Sequence, residues 1–314
     1  MASLTSAVTT AIKSVLITTD LSHVSDKPLW HALVIARHYQ AKLYLTHVVS
    51  SIGYTMAGQP ALQLASEATV REVKQLEQNW AESGLLNGLE HEFIVRQGDI
   101  WTQVQSVIQE KQIDFVVVGT HGRGSLGKLV LGSVAEQIFR GADPPVLTVG
   151  PGTALNSPIE NGGSLRPFLF ATDFGPASMK ALPLAISFAN HFGAKLVLLH
   201  VGPIAPIPES FHWSRTTTDV RKMQEDARCV AVKRLKELMS RCSQCETPAI
   251  EPEFIVKFGT PSKLILHEAG RTGADLIVMG LNHSRYLGTA PHMPGGTAYQ
   301  VVCGAGCSVL TVRS

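Results

Sequence analysis

Residues 119–133 read GTHGRGSLGKLVLGS and follow directly on the apolar run FVVV at 115–118. Three phosphate-loop patterns overlap in this stretch. Gly122, Gly124 and Gly127 spell the dinucleotide fingerprint G-x-G-x-x-G. Gly122 through Lys128 spell most of a Walker A loop, G-x-x-x-x-G-K, and Gly119, Gly122 and Gly132-Ser133 spell G-x2-G-x9-G-S. The fingerprint belongs in the first strand-to-helix turn, with an acid about 20 residues on to hold a ribose. Here the glycines follow the fourth strand candidate, and the next strand, PVLTVG, ends without a carboxylate. Walker A needs Ser or Thr after its Lys to bind Mg2+. Leu129 stands there instead, and Gly122 lies beyond the strand end. The third spacing fits. Gly119 closes the strand and lets the chain turn without a Cβ in the way, and Gly122 admits backbone N–H groups close to a phosphate. Gly132-Ser133 then opens a helix whose unpaired N–H groups, dipole and hydroxyl favour an anion. Spacing alone leaves a second reading open: a glycine-rich turn with Ser133 as N-cap.

Outward from this stretch the chain repeats itself, and a repeat decides the architecture. SVLITTDLS (14–22) recurs as PFLFATDFG (167–175), and AKLYLTHVV (41–49) as AKLVLLHVG (194–202). RQGDIWTQVQSVIQEKQIDFVVVG (96–119) parallels KFGTPSKLILHEAGRTGADLIVMG (257–280), and FRGADPPVLTVG (139–150) parallels VCGAGCSVLTVR (302–313). Four matches in the same order indicate a duplicated domain, residues 1–150 and 164–314. The Pro/Gly/Asn/Ser stretch PGTALNSPIENGG (151–163) reads as the linker. Within the first copy, strands are expected at 14–19, 43–48, 91–96, 115–119 and 146–149. Helices are expected at 25–40, 61–83, 101–111 and 130–141. Strands alternating with helices imply βαβ units and a mainly parallel five-stranded sheet in each copy, an α/β doubly wound fold. Runs such as VLIT and LIVMG are apolar throughout, as strands covered on both faces must be. Ligands of such folds sit beyond the carboxyl ends of the strands, near the topological switch point.

Composition narrows the function classes. The chain has 314 residues, room for two domains of about 150. Its net charge of +2 and lack of a strongly basic half argue against nucleic acid as the main partner. The start, MASLTSAVTTAIKSVLITTD, lacks the charged lead and long apolar core of a secretory signal, and no apolar run approaches the roughly 20 residues that span a bilayer. All five cysteines lie in the second half without framework spacing, so a reducing cytoplasm and no membrane insertion are expected.

LITTDLS, YLTHVV and VVVGTHGRGSLGKLVLGSVAEQIFRGADPPVLTV together resemble the universal stress protein family, and the resemblance runs once through each half. It implies a small α/β domain of strand order 3-2-1-4-5, pairing through the last strands, and ATP bound at the strand tips. The G-x2-G-x9-G-S spacing is that of the family's ATP-binding branch. Carried over, Asp20 matches the acid that contacts the ribose, a role that competes with one at the start of the following helix beside Ser22 and Ser25. Val48 matches the position whose backbone contacts adenine. Gly119, Gly122, Gly132 and Ser133 match the phosphate positions, Val134 adds a backbone N–H, and Arg123 stands where a cation pairs with phosphate. Thr18 departs from the family, many of whose members have Pro there.

The second copy keeps Asp173, Val201 and Gly280 and then diverges. His283 stands where Gly122 does in the first copy. Counting back from Gly304 against Gly141, the loop is two residues longer and Gly296 replaces Ser133, with Thr297 next. A degenerate or altered ligand site is expected. Cys242-x2-Cys245 is half a zinc site without a second pair, and His283, His292, Cys303 and Cys307 have no spacing that demands a metal. His47 and His200 recur at strand ends as packed or hydrogen-bonded histidines, and the Pro-rich segment 202–220 reads as a surface excursion over the second site.

No catalytic set is legible, and no base for a water nucleophile. The expected function is a nucleotide-binding stress or signalling module that holds ATP, with Mg2+, in the first domain and hydrolyses it slowly at most. Two other classes stand beside it: an interaction protein without nucleotide, and an adenylate-forming enzyme, for which the sequence offers no substrate pocket. The duplication implies an intrachain pseudo-dimer, VLTV (146–149) against VLTV (309–312), with a homodimer of chains as a further possibility.

Overall fold

The computed structural model describes residues 12–21, 26–50, 58–120, 131–150, 153, 167–203, 217–241, 247–282 and 296–314. Two compact units divide the chain, one of Ala11–Leu155 and the other built on Asn156–Ser314. Both are α/β. The first alternates β1 (Ser14–Thr18), α1 (Asp26–Tyr39), β2 (Lys42–Ser50), α2 (Gly58–Glu82), β3 (His91–Gly98), α3 (Ile100–Glu110), β4 (Phe115–Gly119), α4 (Ser133–Gly141) and β5 (Val146–Val149). The second runs β6 (Phe168–Thr172), α5 (Pro176–Phe192), β7 (Leu196–Gly202), α6 (Thr217–Arg241), β8 (Glu253–Phe258), α7 (Pro261–Thr272), β9 (Leu276–Leu281), α8 (Thr297–Gly304) and β10 (Ser308–Arg313).

In the first unit β2 pairs with β3 and β1, β1 with β4, and β4 with β5, all parallel. In the second, β7 pairs with β8 and β6, β6 with β9, and β9 with β10, again all parallel. The central strands are sealed on both faces: Val15, Leu16, Ile17, Phe115, Val116 and Val117 are all inaccessible to solvent, as are Phe168, Leu169 and Phe170. That burial explains why these strands read as unbroken apolar runs rather than as alternation.

Local chemistry places the helix ends. Asp99 caps α3, its carboxylate accepting from the Thr102 N–H at 2.9 Å and the Thr102 hydroxyl at 2.7 Å. α5 and α7 each begin with Pro and end at a left-handed Gly, Gly193 at φ 60° and Gly273 at φ 64°. The helix expected over 130–141 begins only at Ser133. Gly132 is extended at ψ 148°, and its N–H is spent on the Thr120 carbonyl at 2.9 Å, so the helix starts just after it, three residues later than expected.

Two packing details generate tests. A Cβ at Gly280, near the end of β9, would lie 2.4 Å from the backbone of Ala177 and Ser178 in α5, whereas one at Gly270 within α7 meets nothing within 4 Å. Gly280→Ala is expected to destabilise the second unit by about 3 kcal/mol in urea denaturation, while Gly270→Ala is neutral or stabilises by up to about 1 kcal/mol. Thr46 is buried to 1% exposure and its hydroxyl has no hydrogen-bond partner. Leu199 takes the equivalent register position in the second unit, opposite Ala171 as Thr46 is opposite Thr18. Thr46→Val removes an unpaired buried hydroxyl at constant shape and is expected to stabilise the first unit by about 1 kcal/mol, read as a raised denaturant midpoint.

Candidate functional site

In the first unit the chain's progress across the sheet reverses between β1 and β4, and ligands of such folds sit at the carboxyl ends of the strands there. The turn after β1, the tail of β2, the exit from β4 and the start of α4 all belong to that end of the sheet. The exit and the helix start are tied together. Thr120 N–H donates to the Val149 carbonyl at 2.9 Å, and the Thr120 carbonyl accepts from Gly132 N–H at 2.9 Å. Thr120 and Gly132 are thus joined backbone to backbone. Gly122 and Arg123 lie between them in the chain, outside the described residues.

At the start of α4 the first helical hydrogen bond runs from Glu136 N–H to the Gly132 carbonyl at 2.8 Å. The N–H groups of Ser133, Val134 and Ala135 therefore precede the intrahelical ladder and point out of the helix end. The N-cap is Gly132, which has no side chain to cap this end, so Ser133 is the exposed first helical residue rather than the N-cap. The N-cap role weighed for Ser133 falls to Gly132. Gly132 itself contributes no N–H to a ligand, because Thr120 already takes it. Its lack of a side chain still matters, since a Cβ there would sit 3.3 Å from the Thr120 carbonyl oxygen.

Across the crevice, Gly119 ends β4 in register with Val149, and Val48 lies on β2 opposite Arg96, beyond the end of β1. Asp20 follows β1 and is half-buried. The residue after it, Leu21, is left-handed at φ 60°, an uncommon conformation for a branched side chain and one that marks a turn held in place by its surroundings. Two contacts hold it. Leu21 N–H donates to the Thr19 hydroxyl at 3.0 Å, and His47 Nδ1 meets the Thr19 carbonyl at 2.8 Å. A carbonyl only accepts, so Nδ1 carries the proton and Nε2 is the imidazole's remaining acceptor when neutral.

The second unit repeats this turn. Phe174 is left-handed at φ 63°, its N–H donates to the Thr172 hydroxyl at 2.9 Å, and His200 Nδ1 donates to the Thr172 carbonyl at 2.9 Å. Both strand-end histidines are thus hydrogen-bonded to backbone. Asp173 shows the helix-start role that competes with ribose binding for Asp20: its carboxylate accepts from Gly175 N–H at 2.8 Å and the Ser178 hydroxyl at 2.8 Å. Partial burial pushes its pKa up, but the hydrogen bonds from Gly175, Ser178 and Asn282 outweigh that and hold it below the ordinary aspartate range. Phe174 also stacks with the His200 ring at 4.4 Å and lies under the Arg234 guanidinium at 4.3 Å, a pairing that Leu21 cannot make.

The helix start of the second unit corrects the residue match made from the sequence. Gly296 is the N-cap of α8 and Thr297 its first residue, so Thr297, not Gly296, stands where Ser133 does. The mismatch arises because α8 has eight residues and α4 nine, which shifts any count made back from the shared glycine. A Gly–hydroxyl pair therefore opens both helices. His283, His292, Cys242 and Cys245, together with 204–216 of the Pro-rich segment, lie outside the described residues. Burial, reinforced by the nearby Asp275 carboxylate, pushes the Cys307 thiol up to about 12, which leaves it protonated and a poor metal ligand. Among the described residues no group of three or more His, Cys, Asp or Glu side chains is placed to hold a metal ion, and no helix is long and apolar enough to cross a membrane.

Sequence reasoning found the rim but missed the turn. Thr19 and Thr172 carried a signal, since both copies repeat Thr-Asp with His at the end of the next strand. The left-handed residue that links them has no residue-type signature, being Leu in one copy and Phe in the other.

Comparison with known proteins agrees with this architecture. The model of the universal stress protein family matches twice, over residues 11–150 and 164–313. A universal stress protein of Mycolicibacterium smegmatis is 26% identical over 309 residues, covering 95% of this chain and 96% of its own. One from Methanocaldococcus jannaschii is 28% identical over 145 residues, 44% of this chain and 81% of its own. The crystal structure of a universal stress protein from Archaeoglobus fulgidus superposes with a TM-score of 0.64 at 20% identity, covering 96% of each chain, and so shares the fold. The chain belongs to the universal stress protein family, with the family's domain present twice.

Proposed function

We propose that this chain is a nucleotide-binding module of the stress response that holds ATP, accompanied by Mg2+, in its first unit, and that the second unit is an altered ligand site. The observation that carries the reading is that the start of α4, capped by a glycine without a side chain, is tied by backbone to the exit from β4. The outward N–H groups of Ser133, Val134 and Ala135 and the positive end of the helix dipole suit phosphate oxygens. In this reading Asp20 accepts from the ribose hydroxyls, and the Val48 backbone meets adenine. Gly119, Gly122 and Gly132 keep side chains away from the phosphates, while Arg123 and Ser133 add a charge and a hydroxyl. Mg2+ bound with the nucleotide would neutralise part of the phosphate charge. The sequence names no base for a water nucleophile, and in this reading bound ATP acts by stabilising one conformation, with slow turnover at most.

Phe174 under Arg234 differentiates the second unit, since unit one offers the smaller Leu21 at the same place. Pairing of the two copies through 146–149 and 309–312, association of whole chains and a cytoplasmic location belong to the same proposal and rest on the duplication and composition.

The test is chemical. Protein purified without added nucleotide is denatured and its adenine nucleotides are quantified, beside titration of stripped protein with ATP with and without Mg2+. One ATP per chain, lost in Gly122→Asp and weakened about tenfold in Asp20→Asn, is the expected result. Two per chain refutes the altered second site. An intact fold by circular dichroism with no bound nucleotide and no titration signal moves the function to an interaction protein.

A further inference from the structure

Helix α7 of the second unit buries a charge where the first unit has an apolar residue. In the parallel segments 96–119 and 257–280, Glu268 takes the place of Val107, and both are sealed from solvent at 0% exposure. The Glu268 carboxylate accepts from Arg271 Nε at 2.7 Å, Lys257 Nζ at 3.1 Å and His267 Nδ1 at 3.2 Å. Burial pushes its pKa up, but these bonds outweigh burial and hold it below the ordinary glutamate range, so the buried group is a carboxylate. Its partners stay in water: Lys257, Arg271 and His267 keep 39%, 50% and 66% of their side chains exposed. Arg271 gives Nε to Glu268 and keeps the terminal nitrogens of its fork for another acceptor. A buried ion cluster is seldom more stable than an apolar residue in the same place, and Val107 shows that this position of the fold does not need one.

The exposed face of α7 breaks helix rules at two further places. Lys263 is exposed in the first turn, where the helix dipole disfavours a cation and no acid offsets it. Gly270 is exposed in the last turn, where it weakens the helix relative to Ala. A Cβ there meets nothing within 4 Å and the backbone is helical, so neither packing nor conformation demands a glycine. Lys263, His267, Gly270 and Arg271 share one face by helical spacing, and Glu268 brings Lys257 beside them. Glu268 is the one acid of α7 and it is buried, so the face carries cations alone. The matching positions of α3 are Thr102, Ser106, Gln109 and Glu110, so the first unit has no such face.

We propose that this face of α7 is a docking surface for an acidic segment of a partner protein. Lys257, Lys263 and Arg271 pair with its carboxylates, Gly270 lets its backbone approach closely, and Glu268 is the positioning residue that holds the cations together. Three local costs on one face, a buried charge, a cation at the wrong helix end and an unneeded glycine, mark a place shaped for something other than the fold itself. Charge complementarity selects the occupant. Cations without intervening acids, on a helix of twelve residues, match a short carboxylate-bearing segment, which an Arg fork binds through two parallel hydrogen bonds. Nucleic acid calls for a wider basic field than a chain of net charge +2 supplies. The proposal does not depend on what either unit binds at its strand ends.

The test uses the full chain and a fluorescent Glu-rich peptide of about twelve residues, the length of α7, read by anisotropy. Wild type is expected to bind it saturably, with an affinity that falls as salt rises. Lys263→Glu and Gly270→Leu change exposed positions and should each weaken binding about tenfold while the denaturation midpoint stays nearly unchanged. Glu268→Val copies the first unit and adds one net positive charge. A diffuse positive surface would then bind the peptide more tightly, whereas a positioned one should bind about tenfold more weakly in a chain that stays folded. No binding by wild type, tighter binding by Glu268→Val, or unchanged affinity in Lys263→Glu and Gly270→Leu overturns the inference. Those last two variants decide it by themselves if Glu268→Val does not fold. Stronger binding of inorganic polyphosphate, or of phosphatidylserine vesicles, that is lost in the same variants overturns the choice of an acidic protein segment.

Discussion

A parallel ladder satisfies the backbone of each strand through its neighbours, so a backbone ligand site exists only where the ladder is broken off and held broken. In each unit of this protein a threonine stands at the end of the first strand. Its hydroxyl collects the N–H of the residue two places on, its carbonyl is occupied by a histidine from the adjacent strand, and the chain enters a left-handed turn. Beneath the turn of the first unit, Leu16, Ile17, Val116 and Val117 are inaccessible to solvent, the close-packed interior on which such a turn rests.

The two units show what is structural in this arrangement and what is free to change. Thr, the left-handed residue and the strand-end His are kept in both with nearly the same distances, and both helix starts open with a glycine followed by a hydroxyl residue. Side chains over the turn differ: the first unit has Leu21, whereas Phe174 in the second packs against the His200 ring and the Arg234 guanidinium. The carboxylate after the Thr is bound into the helix start in the second unit, where Gly175, Ser178 and Asn282 lower its pKa despite partial burial. Divergence has fallen on side chains facing the crevice and on the loop between β9 and α8, while the backbone hydrogen bonds that shape the crevice persist.

The sequence by itself determined the α/β class and the tandem organisation, because these are written in residue types. Fully apolar runs have no stable home except strands covered on both faces, and repeated Thr-Asp and His-Val pairs at matching places can only mark one fold used twice. The G-x2-G-x9-G-S spacing located the strand exit and the helix start to within a residue. Only the tertiary structure decided what those residues do. It gave Gly132's N–H to Thr120 and made Ser133 the first residue of the helix, and it matched Thr297 rather than Gly296 to Ser133 because α8 is one residue shorter than α4. The physical reason is common to both: hydrogen-bond partnership and strand register depend on where a neighbouring strand stops, and that is a property of two segments folded together, invisible in either one alone.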